Sequence, residues 1–291
     1  MDTHLGLSIS DDSVEVVEVL QDGHALGVKA IGEWRRTGEA DFPALGDRLR
    51  SFVQANAIRA TDVTVALDGG LLVVQTFPVE IGLSREEWDR HAQWERAQFF
   101  PRISHEEFIG DVFPLPPRPS QTSQEIMSVS LRRENIRAIR RMVHHAGLEL
   151  GGVDGAHFCA ETLLLERSQE LSDRPTLFVT TKKQSVEWSL YEEKTLVHYG
   201  TRRAEGTSAI ADVLSTVLQH NRPDRIILQG PLAGQETQDV LRDATHLPVY
   251  TFDPFRTVTL PADLPLAEHF AATSFRFAAA VGAALRAAGV D

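Results

Sequence analysis

The side chains with the chemistry to act as nucleophiles, bases or metal ligands are few and poorly grouped. Cys159, the single cysteine, lies two positions from His157. A thiolate beside an imidazole would be a nucleophile, but helical neighbours two apart diverge in direction, so the expected reading is a buried core thiol. Ser-His-Asp catalysis lacks a Gly-x-Ser-x-Gly elbow to expose its serine. His144 and His145 are adjacent and cannot converge on one metal from one helix face, and no histidine lies four positions from another. No metal site is expected. The conspicuous pattern is charge. Arg133, Arg137, Arg140 and Arg141 crowd one helical stretch of a chain with 29 Lys and Arg against 41 Asp and Glu, net −12. This basic face reads either as a solvated helix surface or as a landing site for an acidic partner segment or an anionic membrane leaflet. The overall acidity repels nucleic-acid phosphates, so no nucleic-acid partner is expected.

The 291 residues, 42% of them hydrophobic with 20 Gly and 14 Pro spread along the chain, fit a globular protein of about two domains. The lone cysteine and the Met-Asp-Thr-His opening, which is no basic and apolar secretion signal, imply a reducing cytoplasm. The most apolar late stretch, 277–285, is bracketed by Arg276 and Arg286. A bilayer span needs about 20 such residues, so none is expected.

Hydrophobic periodicity predicts strands at 5–9, 13–20 and 25–34, a helix over 42–57 with Leu45, Leu49, Phe52 and Val53 on one face, and a strand at 63–67. The same order recurs after Asp173-Arg174-Pro175, with strands at 176–180, 185–191 and 196–201, a helix over 207–220 and a strand at 225–229. Ser13-Val14-Glu15 and Ser185-Val186-Glu187 open the second strand of each copy. Between the copies, 73–148 reads as an α+β insertion. It contains a strand through Val74 and Phe77, a helix over 84–99 opened by a Ser84/Glu87 capping box, and strands at 107–112 and 125–131 around the Pro-rich 114–119. A helix over 134–146 then stops at Gly147. A strand at 153–156 and a helix over 158–167 would return to the first copy, and 268–288 would close the chain against it, its Ala and Gly allowing close approach. A duplicated β-β-β-α-β unit is the ground plan of the actin and sugar-kinase fold.

Several phrases resemble the PilM family, actin-like proteins of type IV pilus assembly related to FtsA. The opening Leu5-Gly6-Leu7-Ser8-Ile9-Ser10 with Asp11 to Val19 resembles the family's first hairpin, and Trp94-Glu95-Arg96-Ala97-Gln98-Phe99-Phe100-Pro101 resembles its Trp-Glu-x-x-Gln-aromatic-x-Pro helix signature. Ala146-Gly147-Leu148 with Val153-Asp154, and Leu247-Pro248-Val249 with Asp253-Pro254-Phe255, are similar to further family phrases. The resemblance implies an α/β, actin-like, duplicated two-domain fold with an inserted α+β subdomain. Domain I would be 1–72, 149–171 and 269–291, the insertion 73–148, and domain II 172–268.

It also implies where a nucleotide would lie, and there the chain departs from the pattern. The family's first Asp-x-Gly falls on Ser8-Ile9-Ser10, leaving Asp11, Asp12 and Ser13 as the nearest groups for a cation. The second phosphate turn reads Lys182-Lys183-Gln184 where an acid and a glycine belong, and the adenosine-side loop from Gly230 to Gly234 contains Pro231. The helices that would wall off an adenine, between 207–220 and the 225 strand, are missing. The expectation is a degenerate nucleotide cleft with no cofactor, in a non-catalytic cytoplasmic scaffold of a pilus or type II secretion-like machine. The alternative is an active ATP- and Mg-dependent ATPase or sugar-kinase-like enzyme of the same fold. By resemblance, the partner would be the cytoplasmic tail of a PilN-like inner-membrane protein, making membrane contact indirect, beside other pilus or secretion components. The tail's groove would involve Val74, Phe77, Trp88, Trp94 and Phe99.

Overall fold

A computed structural model describes residues 1–36, 42–68, 70–116, 123–166 and 174–288. Alternating apolar residues make β1 (Asp2–Ile9), β2 (Ser13–Asp22) and β3 (Ala25–Arg35) an antiparallel meander, with Gly23 at φ 62° in the turn between β2 and β3. α1 (Phe42–Ala55) leads back to β4 (Asp62–Leu67), which lies parallel to β1. After an excursion, β8 (Glu149–Gly155) joins β4, giving the order β3-β2-β1-β4-β8.

The second sheet repeats this plan. β9 (Thr176–Thr181), β10 (Ser185–Glu192) and β11 (Thr195–Arg203) form the meander, and α5 (Thr207–Leu218) runs through 219–224 directly into β12 (Arg225–Gln229). α6 (Gln235–Thr245) and β13 (Val249–Thr251), neither read from the sequence, complete the order β11-β10-β9-β12-β13. The duplication extends to single hydrogen bonds. Ser10 N–H donates to the Ser13 carbonyl at 2.9 Å as Lys182 N–H does to Ser185 at 3.0 Å. Arg36 N–H donates to Asp12 at 2.8 Å as Ala204 N–H does to Gln184 at 3.0 Å.

The excursion holds a third, antiparallel sheet in the order β5-β7-β6, from β5 (Leu72–Glu80), β6 (Phe108–Pro114) and β7 (Ser123–Arg132). α2 (Arg85–Phe99) carries the predicted capping box and covers one face, where Phe77, Val79, Val112 and Ile126 pack with Ala92, Leu83 and Trp88. The opposite face meets the rest of the molecule through Leu115, Met127, Phe158 and Tyr199. The next helix, α3 (Arg133–His145), differs from its expected membership. Its Ile139, Met142 and Val143 pack with Leu45 and Leu49 of α1, so it belongs to the core of the first half rather than to the insertion. The strand read at 153–156 starts earlier, at Glu149, because its pairing with β4 continues through both.

α4 (Ala156–Glu166), α7 (Ala267–Ala272) and α8 (Ala278–Ala287) close the molecule. The 268–288 stretch, expected to close the chain, forms α7 and α8 with a single 3₁₀ turn at Ser274–Arg276 between them. The expected end of the 158–167 helix, the end of the Pro-rich run and the 171/172 domain boundary fall outside the described residues. α8 is buried from Ala278 to Leu285 and lies backbone to backbone on two neighbours: a Cβ at Gly6 would overlap the Ala280 carbonyl, and one at Gly282 the Cys159 carbonyl. Val17, Val19 and Val28 of the first sheet share one core with Phe178 and Ile227 of the second and with α8. Replacing Gly282 by Val is expected to destabilise the fold by about 3 kcal/mol or more, read from denaturant unfolding, because rigid backbone on both sides leaves no room to relax.

Candidate functional site between the two halves

The two β-turns that face each other across the halves keep their polar groups for themselves. In the first, the Ser10 hydroxyl accepts from Ser13 N–H at 3.1 Å and lies 2.9 Å from the Ser13 hydroxyl and 3.2 Å from Asp12 Oδ1. Arg36 Nη1 donates to the Ser10 carbonyl at 2.5 Å. Asp11 is exposed, and Ser8 and Ser13 are buried. The serine hydroxyl thus engages the Ser13 N–H of its own turn.

In the second turn, Lys182 does not face solvent or an anion site. Its ammonium is buried between Asp68, at the end of β4, and Glu187 of β10, with Nζ 2.6 Å from Glu187 Oε1 and paired with Asp68. Burial alone would push its pKa down, but Glu187 and Asp68 outweigh that and hold it above the ordinary lysine value. Two carboxylates hold its charge away from solvent. Lys183 and Gln184 are exposed. On the third loop, Gly230 at φ 92° brings its backbone against Thr181 and donates its N–H to the Phe275 carbonyl at 3.0 Å. Gly234 caps α6.

A second polar cluster, unread from the sequence, adjoins this one. His157 of α4 bridges the halves, its ring nitrogens reaching Thr180 Oγ1 at 2.5 Å and Ser189 Oγ at 2.9 Å, with Glu161 Oε1 at 3.0 Å. Burial and the carboxylates of Glu187, Glu161 and Asp68 raise the Tyr199 phenol and keep it protonated. A lone histidine near a helix start was the only signal available. Cys159 is the expected core thiol: it packs among Ala66, Ala156, Ala279 and Ala283, and burial pushes its pKa up to about 12. Among the described residues no group of His, Cys, Asp and Glu is arranged to hold a metal.

Glu15, the first-half counterpart of Glu187, is buried near Ser8 and Ser13, with Arg276 at 4.0 Å. Burial pushes its pKa from 4.5 to about 7, Ser13 and Arg276 opposing.

Two grooves flank the inserted sheet. The first, about 600 Å³, lies on the face opposite α2 and is bounded by Ile109, Phe113, Met127 and Val129 of β6 and β7, Ile136 of α3, and Val153, Phe158 and Arg286 of the first half. Arg286 pairs with Asp154 on its wall. The second, about 950 Å³, runs between β5 and the β10–β11 face, and Val74, Phe77, Phe99 and Asp11 border it. None of the five expected partner residues lines the first groove. Phe77 and Trp88 are core residues of the insertion, whereas Trp94 and Phe99 are 58% and 68% exposed on α2. The aromatic helix phrase also has a packing role: Arg96 is buried over the Phe108 ring, 5.1 Å from its centroid, and Phe100 stacks beside it. Arg133, Arg137, Arg140 and Arg141 are all exposed on α3.

This doubled sheet with a polar interface between its halves defines the actin-like ATPase fold. The chain is similar to PilM as solved in the PilM-PilN type IV pilus biogenesis complex, with a TM-score of 0.80 and 19% identity over 98% of each chain. It is also similar to a Bacteroides thetaiotaomicron protein with an actin-like ATPase fold and unknown function, with a TM-score of 0.55 and 11% identity over 92% of this chain and 94% of the other. The third likeness is the cytoplasmic domain of EpsL, an inner membrane component of the Vibrio cholerae type II secretion system, with a TM-score of 0.50 and 12% identity over 79% and 83%. No family model and no curated relative matches the chain. No described helix is long and apolar enough to cross a membrane.

Two outcomes follow from the buried charges. Lys182→Ala leaves Asp68 and Glu187 uncompensated and is expected to cost about 3–5 kcal/mol in urea unfolding, most of it recovered when Asp68→Asn and Glu187→Gln are added. Glu15 has a folded pKa above its unfolded one, so its ionisation costs stability as pH rises from 4.5 to about 7. Glu15→Gln should therefore stabilise the protein at pH 8 by up to about 3 kcal/mol, the gap closing below the unfolded pKa, as thermal or denaturant melts at the two pH values would register.

Proposed function

We propose that this chain is a non-catalytic cytoplasmic scaffold of a type IV pilus or type II secretion-like assembly, and that the groove between the inserted sheet and the first half takes the cytoplasmic tail of a PilN-like inner-membrane partner. The observation that carries this reading is that groove, in a chain whose fold matches PilM along its length. Its floor and walls are mostly apolar, and β6 is an edge strand of its sheet. An extended tail laid beside β6 would find unpaired backbone groups along the edge and seats for alternate apolar side chains at Ile109 and Phe113, 46% and 44% exposed. The 73–77 strand and the 84–101 helix, where the tail was first expected, border the other groove instead.

The degenerate cleft supports the scaffold over the enzyme. A magnesium nucleotide needs open N–H groups at two turns and free carboxylates for the metal. Here Ser10 fills one turn, Lys182 neutralises Asp68 and Glu187, and Gly230 N–H is used by Phe275. These engaged groups support a cleft that does not grip a magnesium nucleotide, with exposed Asp11 the remaining acid beside the first turn. The similarity to a polyphosphate/ATP-glucomannokinase from Arthrobacter, with a TM-score of 0.51 and 12% identity over 100% of each chain, is one of fold, which by itself carries no activity.

Titration with a synthetic N-terminal tail of a PilN-like partner tests the groove. Ile109→Ser and Phe113→Ser should each weaken capture about tenfold, the scale of one buried apolar side chain, with melting temperatures held. Unchanged affinity in both variants sinks the assignment. For the cleft, millimolar Mg-ATP should leave the melting curve in place. A ligand at 100 times its dissociation constant stabilises by about 2.7 kcal/mol, so an upward shift of several degrees restores the ATPase reading.

A further inference from the structure

α3 presents a row of cations along its outer side. Arg133, Arg137, Arg140, Arg141 and His144 follow one another at helical i, i+4, i+7, i+8 and i+11 spacing, all exposed, while Ile139, Met142 and Val143 of the same helix face the core. The row is about 16 Å long at 1.5 Å per residue. The neighbouring carboxylates are already engaged. Glu134 pairs with Arg132 at 2.7 Å and Asp47 with His145 at 2.8 Å. Among the described residues no carboxylate pairs with Arg137, Arg140 or Arg141. Arg133 alone has a fixed acceptor, the Glu106 carbonyl at 2.7 Å.

Four unneutralised guanidinium groups on one ridge of a chain of net charge −12 repel one another unless an external anion layer draws them. The shape of the ridge says which layer. Arg133, at the start of the row, borders a groove with Glu106 and Asp111, whereas Arg137, Arg140, Arg141 and His144 border none of these grooves, so the row from Arg137 onward lines no groove that would hold a peptide. Long arginine stems on an exposed helix side reach a plane of phosphates without burying backbone. Ile136, one position before Arg137, lines the groove proposed for the membrane partner's tail, so that groove opens about 100° around α3 from the ridge.

We propose that the outer side of α3 is a membrane-contact surface that docks on anionic lipid headgroups, through Arg133, Arg137, Arg140 and Arg141. The nearest carboxylates on the ridge, Glu134 and Asp47, are held by Arg132 and His145, which weakens their opposition to the contact. The contact adds a direct attachment to the indirect one through a partner's tail, and it does not depend on the groove assignment.

The test is flotation of the full-length purified chain, without any partner peptide, on vesicles of phosphatidylcholine alone and of phosphatidylcholine with phosphatidylglycerol at 3:1. Binding to the anionic vesicles only is expected, falling as salt rises. Each arginine near such a surface is worth about fivefold in partitioning, so Arg137→Ala with Arg141→Ala should lower it about 25-fold. Both positions are exposed, and an unchanged melting curve verifies folding. Arg137→Lys with Arg141→Lys should retain most of the binding, which separates charge from any loss of helix packing. Equal binding to neutral vesicles overturns the proposal, as does full binding by the alanine variant. Absence of vesicle binding alongside capture by a polyglutamate peptide also overturns it, in favour of an acidic protein segment.

Discussion

The interaction on which the rest depends is the buried contact of Lys182 with Asp68 and Glu187. Asp68 ends the central strand pair of the first half, and Lys182 sits in the turn that follows β9 of the second. In a dry interior two carboxylates brought this close would repel each other, and an ammonium left alone would be expelled to water. Together they are tolerated, and only in one relative placement of the two halves. The charge group adds specificity to the apolar interface, where Phe178, Ile227 and Phe252 meet Val17, Val19 and Val28. His157, bonded to Thr180 and Ser189 across the same boundary, adds a second directional tie.

That arrangement gives a physical account of the cleft. Here Lys182 is the cation between Asp68 and Glu187, and the turn donors of Ser13 and Gly230 are engaged by Ser10 and Phe275. The backbone plan of the two turns survives in matching hydrogen bonds, while the side chains on them have diverged. On the proposed reading, a fold evolved for a mobile, ligand-gated cleft becomes a fixed body. Within the first half, α8 packs backbone to backbone on Gly6 and, through Gly282, on Cys159, with no flexible side chain to yield.

A fixed body is suited to presenting surfaces. The inserted sheet leaves its β6 edge and one apolar face beside the first half, and α3 ties that groove to the arginine ridge through consecutive residues, Ile136 and Arg137.

The sequence by itself determined much of this. Alternation and helical spacing marked both β-β-β-α-β units, the capping box at Ser84 and the stop at Gly147, because these depend on local periodicity and backbone sterics. The duplicated order and the phrases around Trp94 were enough for the fold, and the loss of glycines at Ser10 and Lys182 was visible as written. The tertiary structure alone decided where Lys182 points, that α3 packs with α1 rather than with the insertion, that Phe77 is core, and where the groove lies. Each of these turns on which distant segment arrives at a side chain. An exposed lysine in a turn and a buried one between two carboxylates have the same local sequence, and only the packing of the halves distinguishes them.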